Sequence, residues 1–275
     1  MRRKHIIGLT TLCTIIICVL VMTNFPKETK SELEINTSNP TVFVHGYKGT
    51  HNSFGSMLGR FEEEYKWGNK AIVYRISKQG DLRRYNLNKG KREPAFIQVI
   101  FEDNRANFID TTQWLSKVMN DLRVAYHIDT VNLVGHSMGG IVALKYLEEY
   151  QHSERFPMMD KLITIGSPFD GIYSETYFQL NRDPATIDLR QDSSALQLLQ
   201  KNKQSIPNRL RVLNIGSTGD LVATPQSVQA LRTIIPSDQL EEVMIKNDDL
   251  GHSELHENKE VDYLIHKFLW QDDVQ

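Results

Sequence analysis

The stretch Val131-Asn132-Leu133-Val134-Gly135-His136-Ser137-Met138-Gly139-Gly140 constrains this chain more than any other part of it. An apolar run of strand type leads through two glycines that flank a serine. It then enters Gly140 to Tyr150, where apolar residues recur at helical spacing. A G-x-S-x-G pattern at a strand-to-helix junction puts the serine on a tight turn, with its hydroxyl standing above a sheet. That turn brings backbone close to helix, which leaves no room for side chains at Gly135 and Gly139. A serine hydroxyl is a poor nucleophile unless a base takes its proton. The Ser137 motif therefore predicts a base, an acid to orient it, and donors for a developing oxyanion. Met138 N–H, at the positive end of the helix, is the first such donor.

Around this motif, strand and helix patterns alternate. Thr41–Val44, Ala71–Ile76, Phe96–Phe101, Thr130–Val134, Lys161–Ile165, Leu210–Ile215 and Glu241–Lys246 read as strands. Ser53–Tyr65, Thr111–Tyr126, Gly140–Tyr150, Pro225–Leu231 and Glu260–Leu269 read as helices, with Pro225 well suited to a first turn. Continuous apolar strands are buried on both faces. The expectation is therefore an α/β fold, a mostly parallel doubly wound sheet with helices on both faces. Phe169–Pro207 interrupts the alternation. It is polar, with one helical piece at Ser194–Gln200, and reads as a lid-like insertion over about 169–207. The short charge runs Glu62-Glu63-Glu64 and Asp81 to Arg84 read as solvated helix face and loop.

The N-terminus carries Arg2, Arg3 and Lys4 ahead of an apolar run, Ile6 to Met22, of about 17 residues. No Ala-x-Ala-like cleavage site follows, and neither Cys13 nor Cys18 is preceded by a small residue. The expectation is an uncleaved anchor in residues 1–25, a linker over 26–39 and one catalytic domain over 40–275. The basic cluster should stay inside and the domain outside the cell, with a cleaved, secreted form as the alternative. Both cysteines lie in the apolar run, so disulfide, thiolate-metal and cysteine-nucleophile chemistry is excluded for the remainder. The net charge of −2 gives no reason to expect nucleic acid.

The second oxyanion donor should come from the loop after an early strand. Val44-His45-Gly46-Tyr47 supplies it, with Tyr47 N–H as the candidate and Gly46 allowing close approach. His45, at the end of a buried strand, reads as a structural histidine that orders the loop. The acid should follow the nucleophile and precede the histidine. Asp220, just past a strand in Asn214-Ile215-Gly216-Ser217-Thr218-Gly219-Asp220, is the expected acid. Asp170 is the runner-up, and Asp183, Asp188 and Asp192 are weaker. For the base, His252 in Leu250-Gly251-His252-Ser253 stands ahead of His256, and His266 reads as surface or packing.

With these residues identified, the chain resembles the α/β-hydrolases of a group once classed as a domain of unknown function and often labelled cell-surface hydrolases of Gram-positive bacteria. The resemblance runs from about residue 40 to the end. Its segments are Val44–Tyr47, Gly135–Gly140, Ile165-Gly166-Ser167-Pro168-Phe169-Asp170-Gly171 and His252-Ser253-Glu254-Leu255-His256-Glu257-Asn258. It implies the α/β-hydrolase fold, esterase- or lipase-like chemistry, no cofactor and no metal. It also assigns the nucleophile, acid and base roles to Ser137, Asp220 and His252. Ester hydrolysis, of a small-molecule or lipid ester, is the leading expectation. Acyl transfer to an alcohol from the same acyl-enzyme is the second. A non-catalytic surface-binding module is the third, and the complete Ser, Asp and His set argues against it.

Overall fold

β-Branched and aromatic residues make Thr41–Val44 (β1) a strand whose four side chains are all buried. The structure is a computed structural model that describes residues 39–87 and 93–271. The expected anchor (1–25) and nearly all of the linker (26–39) lie outside those residues. β1 is the fourth strand of an eight-stranded sheet in the order β3-β2-β4-β1-β5-β6-β7-β8. The others are β2 (Asn69–Ile76), β3 (Leu82–Asn86), β4 (Ala95–Phe101), β5 (Thr130–His136), β6 (Met158–Ile165), β7 (Arg211–Ser217) and β8 (Leu240–Ile245). Every pairing is parallel except that of β3 with β2.

Successive residues of β1 show why the sheet needs two helical layers. Val42 and Val44 join the core on one face, while Phe43 points to the other. The Val44 face is covered by α2 (Phe108–Tyr126) and α3 (Met138–Tyr150), through Trp114, Leu115, Val118, Ile141 and Leu144. The Phe43 face is covered by α1 (Asn52–Gly59), which continues as a π-helical turn over Arg60–Glu64, and by α8 (Lys259–His266). There Phe43 meets Phe54, Phe96 and Phe61 edge-on, at ring separations of 5.4, 5.9 and 6.3 Å. Asn107 and Asn258 cap α2 and α8 by accepting first-turn amides.

Two expectations are corrected. The charge run after Asp81 is no loop: Leu82–Asn86 forms β3, the sheet's antiparallel edge. As an edge strand it is exposed nearly throughout, so it lacks the apolar signal that marks a buried strand. The insertion holds three α-helices rather than one: α4 (Glu175–Leu180), α5 (Pro184–Asp188) and α6 (Ser194–Asn202). The first two are too short for a visible 3.6-residue period. Ser174 and Ser193 cap α4 and α6 by accepting the amides of Tyr177 and Leu196, and Pro184 opens α5. One further short helix, α7 (Pro225–Gln229), follows β7 closely.

Candidate active site

Ser137 occupies the turn between β5 and α3 with φ +54° and ψ −128°, a conformation that L-residues rarely adopt. Holding it there costs on the order of 1–3 kcal/mol and is sustained only because the surroundings over-determine it. Its amide donates to Ile165 O at 2.8 Å, and its carbonyl accepts the Gly140 amide at 3.0 Å. Gly139 meets the neighbouring strand: a Cβ there would stand 2.2 Å from Val44 O. The glycine is thus a steric requirement of the turn.

Three strand ends then converge. Asp220 lies just past β7, fully buried in its side chain, and its Oδ1 accepts the Val222 and Ala223 amides at 2.9 and 2.8 Å. Its Oδ2 lies 2.7 Å from His252 Nδ1, and His252 Nε2 lies 2.9 Å from Ser137 Oγ. Three residues from separate parts of the chain thus form one continuous hydrogen-bonded line. With Nδ1 protonated against the carboxylate, Nε2 is left free to accept the serine proton. Gly166, at φ +53°, makes space beside this line. A Cβ there would stand 2.8 Å from Leu255 Cδ1 and 3.1 Å from Asp220 Oδ2.

The loop after β1 approaches from the opposite side. A Cβ on Gly46 would come 2.7 Å from Ser137 Cβ and 3.1 Å from Met138 N, so the next residue, Tyr47, begins beside Ser137. As the first residue of α3, Met138 has an amide with no intrahelical acceptor. His45 holds this loop. Its Nε2 accepts the Phe101 amide at 3.0 Å and its Nδ1 donates to Gly46 O at 2.8 Å. Complete burial pushes its pKa down to about 4, so the ring is neutral. The Tyr47 hydroxyl bonds Asp183 in the insertion, and Arg105 pairs with the same carboxylate at 2.9 Å. Lys48 bonds Asn181 alongside. The insertion is therefore fastened to the loop after β1 by side chains. The Tyr47 hydroxyl is raised above its ordinary pKa, chiefly by burial and then by Asp183. Asp183 is held below the usual carboxylate range, chiefly by that same bond.

The other candidates are occupied elsewhere. Asp170 accepts from Tyr173 Oη at 2.5 Å and from Gln191 at 3.4 Å. Asp188 accepts the Phe108 amide at the start of α2. Asp192 sits in a turn at φ +58°. His256, in a 3₁₀ turn over Glu254–Glu257, meets the His136 ring edge-on, and His266 lies against Trp67 at 4.0 Å. Sequence reasoning gives His136 no role of its own. It is buried between the rings of His252 and His256, at 4.9 and 4.6 Å. Among the described residues no group of three or more His, Cys, Asp or Glu is arranged to hold a metal ion, and no helix is long and apolar enough to cross a membrane.

The sequence matches, over residues 28–272, the family described as alpha/beta hydrolase of unknown function (DUF915). The chain belongs to that family. Similar structures carry the same α/β-hydrolase architecture. The product of gene lin2722 from Listeria innocua is 25% identical over 86% of this chain and 96% of its own, with a TM-score of 0.74. A protein described as a candidate cell surface hydrolase from Lactobacillus plantarum is 21% identical over 86% and 93%, with a TM-score of 0.69. A structure from work on carboxylesterases of Nitrososphaera gargenis is 17% identical over 84% and 90%, with a TM-score of 0.53. No curated protein matches the sequence significantly. This alpha/beta hydrolase keeps the shared sheet and carries the hydrogen-bonded line on the loops at its strand ends.

Proposed function

We propose that this hydrolase cleaves carboxylic esters through an acyl-enzyme on Ser137. The observation that carries the reading is the line from Ser137 Oγ through His252 (2.9 and 2.7 Å) to Asp220. As Oγ attacks the ester carbonyl carbon, His252 Nε2 takes its proton. The carbonyl π electrons move onto oxygen, where the Met138 and Tyr47 amides receive the charge. When the tetrahedral species collapses, the C–O bond to the alcohol breaks and His252 returns the proton to the leaving oxygen. Water repeats the sequence, with His252 as base, and releases the acid. Asp220 accepts a hydrogen bond from the Nδ1 proton throughout and stabilises the imidazolium. The esterases among the structural neighbours agree with this chemistry, and each speaks for its own protein.

For its place of work we propose the outer cell surface, with residues 1–25 as anchor and 40–275 as catalytic domain. The support is the basic start before Ile6–Met22, together with the description of the Lactobacillus plantarum protein. Protease treatment of intact cells should remove the domain, and a mature N-terminus near Lys27 would replace the anchor with a secreted form.

The chemistry is tested with a fluorophosphonate probe and a series of soluble esters of increasing acyl length. The wild type should label and turn over, and S137A should do neither. A folded S137A protein that still labels overturns the assignment, and the length series names the preferred acyl group.

A further inference from the structure

His252 sits in a turn, so no strand ladder or helix fixes its main chain. Something else must hold it in register with the nucleophile. Its carbonyl oxygen lies 3.0 Å from His136 Nε2, a bond between residues 116 apart in sequence. A carbonyl oxygen only accepts, so the His136 Nε2 carries the proton and donates. His136 is the residue immediately before Ser137 and is held in β5.

We propose that His136 is a positioning residue that ties the main chain of the base to the turn that carries the nucleophile. The proposal rests on the esterase reading of Ser137, Asp220 and His252. It adds what keeps His252 at 2.9 Å from Ser137 although neither helix nor strand holds its main chain. With the tie in place, the two reacting groups are referred to one rigid strand end. Lost alignment of a catalytic group by about 1 Å can cost as much as 10²-fold.

Three further observations fit this role. His136 is almost fully buried, so its donor is shielded from competing water. Burial first, and the neighbouring histidines second, keep its pKa well below the ordinary value, so the donating neutral form persists. The far side of the same segment is held independently. Arg60 donates to His256 O at 3.2 Å and grips the buried Asp262 through two bonds of 2.6 and 2.9 Å. The segment His252–His256 is thus gripped from both sides, and His136 supplies the grip next to the base.

The test compares H136Q, which places an amide donor near the position of Nε2, with H136F, which keeps a planar ring and loses the donor. Two readouts are needed. The first is the low-field proton resonance of His252 Nδ1 in the full chain, which reports the His252–Asp220 pair whether or not the protein turns over esters. The second is steady-state kinetics on one soluble ester. H136F is expected to weaken or broaden the resonance and to lower kcat roughly 10- to 100-fold with KM within about twofold. H136Q should restore most of both. Equal loss in the two variants would make His136 a packing residue only and overturn the proposal. An unchanged resonance and unchanged kcat in H136F would overturn it too. A wild type with the resonance but no ester turnover would remove the esterase reading alone, and the response of the resonance to H136F would still decide whether the tie exists.

Discussion

The Ser137 turn and the insertion over 169–207 both border the candidate site, and they are held by different forces. At the turn, backbone packs against backbone. Gly139 lies against Val44, Ser137 bonds Ile165, and the strand-end side chains are buried. The insertion has apolar residues underneath, Phe178, Leu196 and Leu199, and is fastened above by polar side chains that are partly exposed. These are Asp183 on Tyr47 and Arg105, and Asn181 on Lys48. The first kind of structure tolerates almost no change. The second can be loosened one contact at a time, which lets a site keep its chemistry while the wall around it changes.

The comparison predicts unequal consequences. D220N should lower kcat by roughly three to four orders of magnitude with the fold intact by circular dichroism. If instead D170N is the inactive variant, the acid belongs to the insertion side. Breaking the fastening with D183N or Y47F should cost kcat/KM only about 3- to 30-fold, because the Tyr47 amide shifts without being lost. A loss as large as that of D220N would show that the two regions are one unit.

Acid should separate the regions in the opposite sense. His45 is depressed from 6.5 to about 4, so its contribution to stability is complete above its ordinary pKa and drains away as pH falls from 6.5 towards about 4. Asp183 is held below its ordinary 3.8, so the fastening is kept through that range. Urea midpoints measured from neutral pH down to about pH 4.5 should therefore fall in the wild type. They should fall less in H45Q. Parallel curves would remove His45 from the account.

The smallest effect concerns Glu148 on α3, whose two carboxylate oxygens are buried without a hydrogen-bond partner. Burial raises its pKa from 4.5 to about 8. Its ionised form opposes folding, so stability is lost as pH rises from about 4.5 through about 8. E148Q should raise Tm by roughly a few degrees at about pH 8.5 and leave it unchanged at about pH 4.5.

What the sequence disclosed follows the same division. The strands β1, β4 and β5 and the convergence of Ser137, Asp220 and His252 were legible, because backbone-held features leave local marks: β-branched runs, paired glycines, an acid just past a strand. β3 was missed because an edge strand such as Leu82–Asn86 bonds through its backbone and exposes its arginines like a loop. The insertion helix α6 was legible at Ser194–Gln200, while α4 and α5 were missed because five or six residues carry too little period. The Tyr47–Asp183 fastening and the His136–His252 bond join residues 136 and 116 positions apart, and no local pattern announces such pairs. The only sign of His136 was its place beside Ser137.

The backbone of Ser137 carries an evolutionary consequence. At φ +54° and ψ −128° a glycine would be the more comfortable residue, since it has no Cβ to crowd the turn. Folding alone would favour the exchange Ser137→Gly, and under the proposed acyl-enzyme chemistry it is selection for the hydroxyl that opposes that drift. A descendant released from its reaction should therefore lose this serine early and gain stability by doing so. Relatives with glycine here and an otherwise intact sheet would be read as retired catalysts.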